Sequence, residues 1–416
     1  MLKKIIVTLF TRGFVALVNL AILLISSKQL GGDIRGQISL LILNIAIIQV
    51  INEIYTGYVL VYFIPKYALR KIYTTGIIWS VVCIGITTVI LIALNMYFDV
   101  EISRYWIHIA VLSFIIILHS FNGVVILAKE KIKTYNFLNF FQPSLLLIVL
   151  AFQIFVFDLK TIDSYIVALY VSFLCSLFIS GTQVIGIFKN IKQSLPVCET
   201  GEIFKKGFFN QLANLSHMLS NRYNFYLLSN NVLVGIYSSA TSLIESVLII
   251  SNSAATIILT YIANQKNDSH SIKITFLLSK LCFLLSLVCV LVLLIIPAEL
   301  FTFLLGKDFS ETKQVMLCLS PGILCISFST VISHYFSGLG KQRLIAIANF
   351  SGLFTTVITG YFLVNKFELY GACYATCLSY FVASLIMVTV FMREHNLSLW
   401  SLFRIRSDFK LLKTIS

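Results

Sequence analysis

Polar side chains recur at helical spacing inside a long apolar part of the chain, and they are the residues best placed to do chemistry. At 100° per residue they fall within an arc of about 80°, so a helix would carry them on one continuous face. They are Lys206, Asn210, Asn214, His217, Asn221 and Asn224. Such a face predicts a surface that binds water, sugars or anions.

A second set of polar residues near the start of the chain repeats this pattern within an arc of about 40°. Its members are Thr8, Arg12, Asn19 and Ser26. Arg12 of this set carries a guanidinium group, and so does Arg222, which lies about 100° from the centre of the first face. A guanidinium group matches phosphate oxygens with two hydrogen bonds. Contact with an acidic substrate and internal ion pairing with Glu53 or Glu245 are equally compatible with the sequence.

A membrane helix can use such residues in two ways. A single asparagine more often joins two helices by a hydrogen bond, worth about 0.6 kcal/mol on average. Six polar residues on one face favour a water-filled cavity instead, because a sealed bundle would have to pair them all. Glu53 and Glu245 could also carry a proton or bind sodium in a coupling role.

Composition requires that these residues lie in a membrane protein. Hydrophobic residues make up 58% of 416, charged residues only 12%, and the mean hydropathy is +0.94. Apolar runs of about 20 residues, separated by short charged segments, have the length of a membrane-spanning helix. The net charge of +14 does not indicate nucleic-acid binding, since the basic residues are scattered through short loops.

About twelve such spans can be counted, which predicts an all-α integral membrane protein. Lys and Arg are roughly three times as frequent in one alternating set of connecting segments as in the other. By the positive-inside rule, this bias places both termini in the cytoplasm. The segments containing Lys66, Lys129 and Lys192 would then face the cytoplasm, and the one containing Asp158 would face outward.

The spans divide into two sets of six. We expect an N-terminal lobe over 1–190, a cytoplasmic linker over 191–206, a C-terminal lobe over 207–392 and a basic cytoplasmic tail over 393–416. Short similar segments follow corresponding spans of the two halves, which indicates a parallel internal repeat. The polar faces of spans one and seven would then occupy equivalent positions beside a cleft between two lobes.

Motifs of known enzymes are absent from the sequence. No phosphate-binding loop of the form G-x-x-x-x-G-K-[ST] is present, and neither is H-E-x-x-H or G-x-S-x-G. The nine cysteines show no metal-ligand spacing with histidines. We therefore expect no cofactor and no metal, and transport driven by a gradient or by a partner protein.

The junctions between spans carry a resemblance to a known family. The quoted segments are Leu30-Gly31-Gly32-Asp33-Ile34-Arg35-Gly36, Val234-Gly235-Ile236-Tyr237-Ser238, Phe303-Leu304-Leu305-Gly306-Lys307-Asp308-Phe309, Ser337-Gly338-Leu339-Gly340-Lys341 and Tyr370-Gly371-Ala372. With the six-plus-six arrangement of spans, the whole chain resembles the Wzx-type O-antigen flippases. These are polysaccharide transporters of the multidrug/oligosaccharidyl-lipid/polysaccharide exporter superfamily.

This resemblance implies a two-lobed bundle with alternating access. It would move undecaprenyl-diphosphate-linked oligosaccharide, the O-antigen repeat unit, to the periplasmic leaflet of the bacterial cytoplasmic (inner) membrane. A polysaccharide polymerase and a chain-length regulator are the implied partners. The positive cavity of the family is matched by Arg12, Arg222 and Lys206. Asn224 stands where the family often has an acidic residue, which argues against an ion pair there.

Other functions remain open. A cation-coupled drug antiporter of the same superfamily would favour acidic residues in the cavity, and the stretches 6–27 and 207–229 contain none. A membrane polymerase or glycosyltransferase usually needs a large outer loop, whereas every outer connection here is short. A scaffold or channel subunit is disfavoured only weakly, by the polar faces.

Overall fold

The computed structural model is helical, as the apolar sequence requires. In a bilayer, backbone amides have no water to bond, and helices satisfy them within one segment. The part of the chain that the structure describes contains no strand. The residues described are 2–97, 105–189, 196, 200–264 and 269–397.

Thirteen α-helices are described within these residues. They are α1 Leu2–Thr56, α2 Leu60–Phe63, α3 Leu69–Tyr97, α4 Trp106–Ala128, α5 Ile132–Phe155, α6 Ile162–Lys189, α7 Thr200–Arg222, α8 Asn231–Glu245, α9 Leu248–Asn264, α10 Ser269–Ile295, α11 Ala298–Leu305, α12 Thr312–Gly338 and α13 Gln342–Glu394. Two short 3₁₀ turns lie at Tyr223–Tyr226 and Lys307–Phe309.

These helices agree with the prediction of about twelve spans. Eight of the described helices are long and apolar enough to cross a membrane, or nine if α8 and α9, which meet at a bend of 46°, form one span. The helices α1 and α13 each contain a break, at Gly31 and at Glu368, and each supplies two predicted spans. The helix α7, which carries the polar face, corresponds to the remaining predicted span.

Contacts between helices divide the chain into two compact units. Unit 1 comprises Met1–Gln211, Asn230–Gly235 and Phe303–Asp308, and unit 2 comprises Leu212–Ser229, Ile236–Thr302 and Phe309–Ser416. Of the predicted linker over 191–206, the last seven residues form the start of α7. Glu202 lies in the first turn of α7, where a negative charge stabilises the helix N-terminus.

In unit 1, glycines allow the break of α1 and a close approach to it. Gly31 has a φ of +84°, a conformation that L side chains rarely adopt. The next residue, Gly32, donates its backbone N–H to Oδ2 of Asp308 over 2.8 Å. A Cβ at Gly36 would lie 1.8 Å from the carbonyl oxygen of Asn231, so only glycine fits there. These contacts bring 230–235 and 303–308 against α1.

In unit 2, α12 packs against α9, α10 and α13. Its core contains Tyr335, Phe336 and Phe391, each of which is fully buried. The break within α13 lies at Glu368, whose φ is +45°. This break divides α13 into two helical parts, which correspond to two predicted spans.

Candidate functional site

The polar face of α7 changes from exposed to buried along the helix. Lys206, Asn214 and His217 are exposed and Asn210 is half-buried, whereas Asn221 is buried. Lys206 and Asn210 belong to unit 1, and the face from Asn214 onward belongs to unit 2. The exposed residues are available to a ligand in this conformation, and the buried one contributes to the interior of unit 2.

The helical spacing used for the prediction ends at Arg222, since Tyr223–Tyr226 is a 3₁₀ turn. Asn224 lies in that turn and is fully buried. Its Nδ2 donates to the backbone oxygen of Ala372 and to Oγ1 of Thr376, both over 3.0 Å. Asn224 therefore joins this turn to the second span of α13.

The carboxylate of Glu245, the last residue of α8, is the centre of a hydrogen-bonded cluster in unit 2. Its Oε1 accepts a hydrogen bond from Nδ2 of Asn221. The same oxygen accepts a second bond from the hydroxyl of Tyr380 over 3.2 Å. The ring of His217 stacks on Tyr380, with the ring centroids 6.2 Å apart and the planes at 15°. Three residues of the predicted site, His217, Asn221 and Glu245, are thus brought together.

Two amide oxygens beside this cluster are unusual. In the described part of the chain, Oδ1 of Asn221 and Oδ1 of Asn224 are buried without a hydrogen-bond partner. A buried acceptor without a donor costs about 1–3 kcal/mol. Together with the carboxylate of Glu245, these oxygens form an acceptor-rich environment, which suits a proton or a small cation.

Of the two arginines that the sequence singles out, only Arg222 has a described side chain. Arg222 is the half-buried last residue of α7. The ion pairs among the described residues are formed elsewhere, by Lys160–Asp158, Lys206–Glu202 and Lys341–Glu394.

Two further predicted residues lie on α1. The side chain of Arg12 lies outside the described residues. Asn19 is exposed on the first part of α1, and Ser26 of the same predicted face is fully buried. Ser26 donates its hydroxyl to the backbone oxygen of Leu23 over 3.0 Å. The face of span one is therefore also part exposed and part internal.

Glu53 forms a separate cluster in unit 1. Its Oε1 accepts a hydrogen bond from Nε2 of Gln49 over 2.9 Å, and the hydroxyl of Ser120 lies at 3.5 Å. Glu53 is half-buried near the end of α1. Both membrane glutamates that the sequence singles out are therefore held by neutral donors in the described structure.

Lys206 lies near the start of α7, before the span predicted from residue 207. Its Nζ contacts Oε1 of Glu202, one helical turn earlier, at 2.9 Å. This hydrogen bond raises the pKa of the Lys206 ammonium above its ordinary value. Because both side chains are about half exposed, the pair contributes little to stability.

Sequence reasoning missed two residues, one in the Glu245 cluster and one elsewhere, in unit 1. Tyr380 is an aromatic in an apolar span, and nothing in the local sequence links it to Glu245. Arg35 belongs to a junction between two predicted spans, but only 8% of its surface is exposed in unit 1. Its Nε has no hydrogen-bond partner in the described structure. A single arginine beside two glycines and an aspartate resembles an ordinary loop residue, so no signal in the sequence shows that Arg35 is buried.

No group of three or more His, Cys, Asp or Glu residues that could hold a metal ion occurs among the described residues. Three candidate sites among the described residues are the exposed polar part of α7, the Glu245 cluster and the Glu53 cluster. All three suit recognition of polar or charged groups.

Solved structures resemble this chain over nearly its whole length. An inward-facing multidrug resistance MATE family transporter of the MOP superfamily matches with a TM-score of 0.74, at 14% identity, over 92% of this chain and 95% of the other. The lipid II flippase MurJ in an inward closed conformation matches with a TM-score of 0.66, at 14% identity, over 94% and 87%. The chain has the fold of the MATE and MurJ transporters.

The MATE and MurJ fold is also shared by the MATE transporter ClbM in complex with Rb⁺, with a TM-score of 0.56, 16% identity and coverage of 93% and 92%. No protein-family model and no curated protein matches the sequence. At these identities the likeness establishes the multi-pass helical fold and leaves the substrate to be argued from the residues of this chain.

Proposed function

We propose that this chain is a flippase of the bacterial cytoplasmic membrane. Its substrate would be undecaprenyl-diphosphate-linked oligosaccharide, the O-antigen repeat unit, moved to the periplasmic leaflet by alternating access. A polysaccharide polymerase and a chain-length regulator would act on the product. The fold supports this proposal, since it is found in the lipid II flippase MurJ as well as in MATE transporters.

One observation carries the choice of substrate class. The exposed residues of the α7 face are neutral or basic, with Asn214 and His217 accessible and Lys206 at the start of the helix. Amides and imidazole bond sugar hydroxyls, and an ammonium or guanidinium group binds phosphate. Acidic residues, which would recognise a cationic drug, are absent from the six residues of the predicted face, and Glu202, one turn earlier, is paired with Lys206.

A deletion strain followed by lipid analysis tests this proposal. We expect complete lipid-linked repeat units to accumulate at the cytoplasmic face and surface glycan to be lost. Single repeat units transferred to the surface lipid would instead indicate a polymerase, and unchanged glycan would exclude the proposal.

Variants of the two arginines test the role of positive charge. Arg12→Ala and Arg222→Ala are expected to reduce surface glycan while the protein still inserts in the membrane. Normal glycan in both variants would contradict recognition of an anionic substrate by these residues.

A cation-coupled drug antiporter is the second candidate, and the Glu245 cluster favours it. Among the described residues, this membrane carboxylate is bonded by neutral donors and lies next to amide oxygens without a partner, so it could exchange protons or cations. Proteoliposome assays separate the candidates. Export of a cationic dye driven by a sodium or proton gradient would support the antiporter, whereas gradient-independent movement of a labelled lipid-linked oligosaccharide would exclude it.

A further inference from the structure

Two lysine side chains converge on one exposed tyrosine in unit 1. Tyr62, on the short helix α2, has 54% of its surface exposed. The Nζ atom of Lys66 lies 3.5 Å from the centre of its ring, and the Nζ atom of Lys206 lies 4.8 Å from the same point. The two ammonium groups are therefore no more than about 8 Å apart. Each ammonium group is attracted electrostatically to the face of the aromatic ring.

Backbone packing places these groups together. The neighbours of Tyr62 on α2, Leu60 and Phe63, are fully buried and hold the helix in the core of unit 1. On α7, a Cβ at Gly207 would lie 1.9 Å from the carbonyl oxygen of Ile54, so the two backbones touch. This contact sets Lys206, the preceding residue, beside α2. The convergence thus follows from buried elements, although the lysines themselves are exposed.

Among the described residues, positive charge exceeds negative charge in this group. Glu202 bonds Lys206 and is the one carboxylate that contacts the group in the described structure. Lys66 forms no ion pair with a described residue. Two ammonium groups and one carboxylate leave an excess positive charge, and the adjacent Lys205 is exposed as well. An anion with several oxygens could accept hydrogen bonds from both lysines and from the tyrosine hydroxyl.

We propose that Tyr62, Lys66 and Lys206 form a binding site for a lipid phosphate group, and that its ligand is the diphosphate of a polyprenyl-linked sugar. This assignment rests on the flippase function proposed above. Lys66 and Lys206 belong to the segments that the positive-inside rule places in the cytoplasm, where such a lipid would start. A diphosphate offers oxygens to both lysines at once, whereas the single phosphodiester of a bulk phospholipid offers fewer.

Binding of undecaprenyl diphosphate to the full-length protein in phosphatidylcholine nanodiscs tests this site. We expect Lys66→Gln and Lys206→Gln each to weaken binding by about tenfold, since each removes a charged hydrogen-bond donor. Lys205→Gln is the matched control, because it removes the same charge from the next residue, and it should change affinity less than twofold. Glu202→Gln should strengthen binding by releasing Lys206.

The other outcomes separate this site from the proposed function. Wild-type affinity in both lysine variants would overturn the site, and an equal loss in Lys205→Gln would reduce it to general attraction between charges. Displacement of undecaprenyl diphosphate by an equal amount of phosphatidylglycerol would assign the site to bulk phospholipid and overturn the diphosphate assignment. Wild-type protein that binds the diphosphate no better than neutral polyprenol would also overturn it. The flippase function is judged separately, by accumulated repeat units in the deletion strain.

Discussion

The side-chain Nδ2 of Asn221 donates a hydrogen bond to Oε1 of Glu245, and this bond joins the end of α7 to the end of α8 within unit 2. The hydroxyl of Tyr380, on α13, donates to the same oxygen. One carboxylate oxygen therefore receives donors from two other helices. Removal of this acceptor would leave an amide and a hydroxyl unpaired in the interior.

We expect Glu245→Ala to destabilise the protein by about 1–3 kcal/mol, because two buried donors lose their acceptor. The measurement is thermal unfolding of the purified protein. Glu299→Ala, at an exposed position in the first turn of α11, is the control and should cost no more than about 0.3–1 kcal/mol, the contribution of a charge at a helix N-terminus. Equal midpoints for the two variants would show that the cluster does not stabilise unit 2.

We expect Gly36→Ala to be strongly destabilising, because its methyl group would overlap the carbonyl oxygen of Asn231. Overpacking of this kind typically costs about 1–3 kcal/mol. Gly181→Ala on α6 is the matched control, since nothing lies within 4 Å of its added Cβ. There, alanine should be neutral or stabilising by up to about 1 kcal/mol, through its higher helix propensity. Thermal unfolding of both variants distinguishes close packing from a general effect of the methyl group.

We expect Arg35→Met to leave the unfolding temperature unchanged or to raise it. Burial of the guanidinium group carries a desolvation cost, and Arg35 forms no ion pair with a described carboxylate to offset it. Methionine has a comparable length and no charge to desolvate. A fall of the midpoint by several degrees would show that Arg35 is held by a partner that stabilises the fold.

Stability should also fall at mildly acidic pH through His395, which follows α13. Burial lowers the pKa of this ring, and its Nε2 lies 3.1 Å from the hydroxyl of Tyr335. Because the pKa of His395 in the folded protein is below the unfolded value of about 6.5, the stability contributed by the neutral ring is fully present above that pH. It is lost as the pH falls through the folded pKa. His395→Asn should therefore show a smaller decrease in unfolding temperature between pH 7.5 and 5 than the wild type, and an identical decrease would contradict this.

The sequence by itself determined the helical membrane class and the approximate number of spans. Apolar runs such as Leu284–Ile296 can cross a bilayer only as helices, because backbone groups must be satisfied within each segment. The polar face of α7 was also readable, since Lys206 to Asn221 follow the period of one helix. Both are local properties, which spacing along the chain specifies.

Only the tertiary structure decided which polar residues meet. Asn221 is 24 residues from Glu245, and Tyr380 is 135 residues from it, so no local period relates them. The turn at Tyr223 and the break at Gly31 likewise depend on packing, through the burial of Asn224 and the approach of Asn231 to Gly36. The convergence of Lys66 and Lys206 on Tyr62 also depends on packing. Contacts between distant segments arise from the fit of whole helices, and they leave no repeating signal in the sequence.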